Sequence, residues 1–140
     1  MNDIRHHIHS AAAYLYNLPG AVDPTVIEKG QFIRSDFYHQ QAKLNPEQTK
    51  RVLDMVSVKL PRAKTHGARC FLPRHLIVFK DAEGQIIGQV RVCFECNLYR
   101  CTPQPSYDEN SLDYFRELFA ELGIDVFDHP LRYIALMGPE

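Results

Sequence analysis

Cys70, His75, Cys93 and Cys96 are the residues of this chain best suited by type and spacing to hold a metal ion. Zn²⁺ favours tetrahedral thiolate and imidazole ligands, and three cysteines with one histidine make a common closed structural set. Cys93-Phe94-Glu95-Cys96 is a C-x-x-C unit, whose spacing lets one backbone turn present two thiolates to the same ion. Cys70 and His75 stand five positions apart, looser than the usual second pair. All four cysteines lie between positions 70 and 101. In a reducing compartment, cysteines clustered in this way more often bind metal or do redox work than form structural disulfides.

Plainer readings of the same residues stand beside that one. Free cysteine is among the most buried residue types, and a lone histidine also serves as a hydrogen-bonding group on a sheet. Cys101 is close enough to replace one of the four and otherwise reads as a packed or loop thiol. A C-x-x-C also fits dithiol redox chemistry, in which a lowered cysteine pKa makes an attacking thiolate. Such motifs usually sit at a helix N-terminus, whereas Asn97-Leu98-Tyr99 reads as extended. Catalytic zinc needs an open coordination position and a nearby acid or base, and Glu95 is the only carboxylate inside the motif. His6, His7 and His9 form a second histidine group, which reads as solvated.

The elements that must position the quartet are legible. Leu76-Ile77-Val78-Phe79 and Ile86 to Phe94 are β-branched and aromatic, and Asp81-Ala82-Glu83-Gly84 between them supplies a turn. A hairpin turning around residues 82 to 84 places Phe79 across from Ile87, Ile77 from Gln89, His75 from Arg91 and Pro73 from Cys93. In that register His75 and Cys93 share a face as diagonal neighbours, with Cβ atoms about 7–8 Å apart at most. Cys70 and Cys96 then fall at the hairpin's open end. A one-residue slip sends the two to opposite faces and removes the relation.

Around the hairpin, three helices are expected. Ile4, Ile8, Ala11, Ala12 and Leu15 recur at helical spacing, giving a helix near 4–17 that Pro19-Gly20 stops. Asn45-Pro46-Glu47-Gln48 opens a helix over 46–57, with Gln48 placed as a capping-box partner and Pro61 beyond its end. Leu112, Phe115, Leu118, Phe119 and Leu122 give a helical face over 111–122, and Gly123 is a natural stop. The tail from Leu131 to Met137 reads as a strand or a short helix. The chain of 140 residues is read as a single domain, 1–140, of the α+β class: an antiparallel sheet built on the hairpin of about 70–96 and covered by three helices.

Composition narrows the function classes. Sixteen basic residues against seventeen acidic give a net charge of −1, which argues against a general nucleic-acid binder. The basic stretch Lys59, Arg62, Lys64, His66 and Arg69 reads as a solvated loop. The aromatics Tyr14, Tyr16, Phe32, Phe37 and Tyr38 read either as core or as an exposed patch. No membrane span or secretory stretch is visible, so a cytoplasmic protein is expected. The sequence carries no G-x-S-x-G, phosphate loop, H-E-x-x-H or deaminase pattern.

Cys70-Phe71-Leu72-Pro73-Arg74-His75, then Ile77 to Asp81, Gly84 and Cys93-Phe94-Glu95-Cys96, resembles small, largely uncharacterised bacterial proteins with a C-x-x-P-x-H, hairpin, C-F-x-C arrangement. The resemblance covers about residues 70 to 96. It implies that Cys70, His75, Cys93 and Cys96 belong together, and it implies no activity. The expected function is a non-catalytic protein-interaction module of the bacterial cytoplasm with a structural zinc site. An immunity protein that neutralises a toxin is its concrete form, since such proteins are small, soluble and without active sites. The rival is an enzyme using the cysteine cluster, either a thiol oxidoreductase or a metal-dependent hydrolase. A nucleic-acid-associated zinc module is a third reading, and it predicts binding that weakens steeply with salt.

Overall fold

Local hydrogen bonds fix both α-helices. In the computed structural model, which describes residues 4–16, 27–33, 38–56, 73–94, 98–102 and 112–127, α1 spans Pro46–Val56 and α2 spans Leu112–Glu121. Asn45 caps α1 reciprocally: Gln48 N donates to Asn45 Oδ1 at 2.7 Å, and Asn45 N donates to Gln48 Oε1 at 2.9 Å. Val52, Leu53 and Val56 then face the core. α2 ends in a Schellman turn, with Gly123 N donating to Ala120 O at 3.1 Å and Ile124 N to Phe119 O at 2.9 Å. Gly123 adopts φ 74°, a conformation in which a side chain is strained, and Ile124 folds back into the core that also holds Phe119.

The helix expected near 4–17 is not formed. Arg5–His7 make one 3₁₀ turn, and Ser10–Tyr16 form a strand, β1. The residues read as helical also alternate: Ala11, Ala13 and Leu15 face one core, while Tyr14 and Tyr16 face another. Two ladders settle the choice, because β1 pairs antiparallel with β4 (Tyr38–Lys43) on one side and β5 (His75–Lys80) on the other. Two α-helices, not three, are therefore present among the described residues.

β6 (Ile86–Cys93) and β7 (Leu98–Thr102) complete an antiparallel five-stranded sheet of order β4-β1-β5-β6-β7. This is an α+β fold with the expected β5–β6 hairpin at its centre. The two helices contribute Val52, Leu53, Phe115, Leu118 and Phe119 to a core with Leu15, Ile77, Phe79, Val90 and Val92 of the sheet. On the sheet's other face, Tyr14, Tyr16, Leu76 and Val78 form a second core, with Phe32 and Tyr38 packed against it. The aromatics singled out from the sequence thus serve packing, apart from Phe37, which lies outside the described residues. A short hairpin of β2 (Ile27–Glu28) and β3 (Gln31–Phe32) meets this face, with Tyr14 edge-on to Phe32 at 5.3 Å. Its Gly30 accepts a hydrogen bond from Ile86 N, and a Cβ at that position would collide with Gln85 Oε1.

The β5–β6 turn forms where expected. Asp81 Oδ1 accepts hydrogen bonds from Glu83 N and Gln85 N at 3.0 and 2.9 Å, and Lys80 lies opposite Ile86. The register then shifts by one, so that Phe79 pairs with Gly88 and His75 with Val92. Ile87 is the extra residue of a β-bulge. No helix of the described residues is long and apolar enough to cross a membrane.

Candidate functional site

The bulge changes the geometry on which the metal quartet was built. With His75 opposite Val92, the next residue, Cys93, stands on the other face of the sheet. His75 joins the helix-covered side, where its ring meets Phe94 at 4.9 Å and Phe119 at 4.7 Å. Cys93 is buried at 1% exposure on the face it shares with Gln89 and Arg91. The same-face relation between His75 and Cys93 is thus corrected, and its cause is one unopposed residue near the hairpin's turn. Gly88, an isolated glycine inside a strand pattern, is the sequence signal that marks such a bulge.

Cys70 and Cys96 lie outside the described residues, as do the basic stretch 59–69 and the tail 131–137. Cys101 pairs with Val90 across β6–β7 and packs into the helix-side core. His6, His7 and His9 are exposed around the 3₁₀ turn and do not share a helix face. Among the described residues, no three His, Cys, Asp or Glu side chains are grouped to hold a metal ion.

What the structure builds at His75 is a polar knot over the helix-side core. Leu15 is flanked by Gln40 on β4 and His75 on β5, so these two residues lie two strands apart on one face. The Schellman turn at Gly123 delivers Asp125 across the gap between them. Asp125 N donates to Gln40 Oε1 at 2.9 Å, and Gln40 Nε2 donates to Asp125 Oδ2 at 2.9 Å. The Asp125 carbonyl lies 2.8 Å from His75 Nε2.

That last contact fixes the state of the imidazole. Burial is complete, at 0% exposure, and it disfavours the charged form most strongly. The Asp125 carbonyl opposes this, while the Arg74 and Arg116 guanidiniums reinforce it and the Asp125 carboxylate weakly offsets them; the His75 pKa is lowered to about 4. Neutral His75 must donate through Nε2 to reach a carbonyl oxygen, so Nδ1 carries the ring's lone pair. Arg116 also stacks over Phe94 at 4.8 Å, which closes the aromatic wall around the ring.

Sequence reading singled out His75 but neither Gln40 nor Asp125. Both are ordinary polar residues there, joined to their partners across 85 and 50 positions of chain. Comparison with known proteins returns no matching family model, no matching curated protein and no matching solved structure. The fold and site define an α+β domain with two helices on one face of its sheet and a buried histidine bonded to the chain leaving α2.

Proposed function

We propose that this chain is a small, non-catalytic protein-interaction module, with a toxin-neutralising immunity protein as its concrete form. One observation carries the reading: the fold itself uses the side chain best placed for acid–base chemistry. His75 is sealed from solvent and donates to a backbone carbonyl, so it orients α2's exit against β4 and β5. A general base has to reach a substrate proton, and a fully buried imidazole held in this way does not. The rival thiol-enzyme reading meets the same difficulty at Cys93, since an attacking thiolate needs access that 1% exposure denies it.

Zinc remains part of the proposal in a reduced form. A histidine that binds metal commonly donates its other ring nitrogen to a carbonyl or carboxylate, as His75 Nε2 does here. Because His75 and Cys93 occupy opposite faces, one ion takes either His75 or Cys93 together with Cys70 and Cys96, not all four. Elemental analysis of untagged protein tests this: stoichiometric zinc lost in Cys70→Ser and Cys96→Ser supports it, and metal-free protein with reactive thiols overturns it.

The interaction reading is tested by capture from the native host, followed by reconstitution from purified components. A stoichiometric complex with a protein that is toxic when expressed alone supports it. Failure of every captured protein to reconstitute overturns it, as does turnover of a substrate that Cys96→Ser abolishes.

A further inference from the structure

The end of the sheet remote from His75 carries a second feature, built from β1, β4, β5 and α1. Lys43 lies beside Ala12 on one flank of β1, and Lys80 lies beside Ser10 on the other. Small residues on β1 leave a hollow of about 510 Å³ between the two lysines. A second hollow of about 540 Å³ opens around the β4–α1 junction, walled by Arg5, His9, Lys43 and Lys50 over an apolar floor that includes Leu44 and Leu53. The two linings share Ser10 and Lys43, at the end of the sheet where β1 begins and β4 ends.

Charge is what distinguishes this place. The chain as a whole carries a net charge of −1, yet no carboxylate among the described residues lines either hollow. Arg5 is held by an ion pair to Asp54, which lies outside the lining. Lys80 Nζ lies 5.8 Å from the centre of the Phe32 ring. Lys43 and Lys50 are exposed and make no ion pair among the described residues. The N-terminus of α1 is already capped by Asn45.

We propose that these adjoining hollows bind a small phosphorylated molecule with an apolar moiety, of the nucleoside di- or triphosphate class, lying across the end of the sheet. Cations converging from separate elements suit two or more phosphates, which gain charge-assisted hydrogen bonds from lysine and arginine. The Ser10 hydroxyl adds a neutral donor at the same wall, whereas the Thr49 hydroxyl already donates to Asn45 O at 2.9 Å. Leu44 and Leu53 give an attached ring an apolar surface, and the volume falls within the range of small-molecule sites. The proposal is independent of the interaction reading above, because it uses neither His75 nor the cysteines.

Calorimetric titration of the full chain at low ionic strength, with ATP, ADP, tripolyphosphate and adenosine as probes, tests it. ATP and ADP are expected to bind, with adenosine and tripolyphosphate each weaker by about tenfold or more, the size of one charge-assisted contact. Lys43→Glu and Lys50→Glu are each expected to weaken ATP by about tenfold or more. Lys29→Glu, which makes the same charge change outside both hollows, should change it by less than about twofold. Ligand-free melting of each variant is read alongside, and Lys50→Glu carries the test if Lys43→Glu does not fold. Absence of ATP binding overturns the proposal, as does equal weakening by all three substitutions. Affinity that grows with oligonucleotide length and exceeds that for ATP also overturns it, and makes the face a nucleic-acid surface instead.

Discussion

β5 begins and ends in two opposite uses of polar chemistry. At His75 the fully buried imidazole bonds the Asp125 carbonyl, and the Gln40 amide and Asp125 bond each other at the surface beside it. At Lys80 and the neighbouring Lys43 and Lys50, like charges surround open hollows. A polar group inside a low-dielectric core is costly unless paired, so the imidazole at the first end is tied to the stability of the fold. Exposed cations contribute little to stability and stay free for a ligand. One end is accordingly expected to govern folding and the other binding.

The largest test of that division is His75→Ala. It leaves a cavity beneath Phe94 and Phe119 and strands the Asp125 carbonyl, and is expected to cost about 3–5 kcal/mol in urea unfolding. Lys43→Ala should stay within about 0.5 kcal/mol. Equal costs at the two ends would break the comparison.

The pH dependence follows from the same ring. His75 has an ordinary pKa of 6.5 and a folded value of about 4, so between these the unfolded chain binds a proton that the folded chain does not. Its contribution is fully present above pH 6.5, is lost as the pH falls, and is gone below about 4, a loss of about 3 kcal/mol. Unfolding across that window, with a chelator present, should show a shallower fall in His75→Gln than in the parent. Identical slopes would mean that His75 is not held neutral.

Gln40→Ala removes both hydrogen bonds to Asp125 and is expected to cost about 1–2 kcal/mol. Amide exchange at residues 124–126 should speed up with it, and unchanged protection would detach Gln40 from the knot. The smallest effect at this end belongs to Gly123→Ala. A Cβ there meets nothing within 4 Å, so only the left-handed backbone opposes it, at about 1 kcal/mol in the same unfolding assay.

Much of the fold was legible because its signals are local. The α1 start, the α2 stop and the β5–β6 turn each rest on residues within five positions of one another, and all three form as read. β1 was misread because Ile4, Ile8, Ala11 and Leu15 satisfy a helical spacing, while the strand period of Ala11, Ala13 and Leu15 runs through the same segment. The candidate site was less legible. A single bulged residue, Ile87, inverted the face of everything beyond it, which parted His75 from Cys93.

From the sequence alone came the α+β class, the helix caps, the central hairpin and the prominence of His75. Those features depend on hydrogen bonds and steric preferences within a few neighbouring residues, which any chain carries with it before it folds. Only the tertiary structure decided that β1 is a strand, that the register slips at Ile87, and that Gln40, His75 and Asp125 meet. The strand and the meeting of the three residues depend on partners tens of residues away, and the slip on how β6 settles against β5; in each case ladder pairing and burial outweigh local spacing.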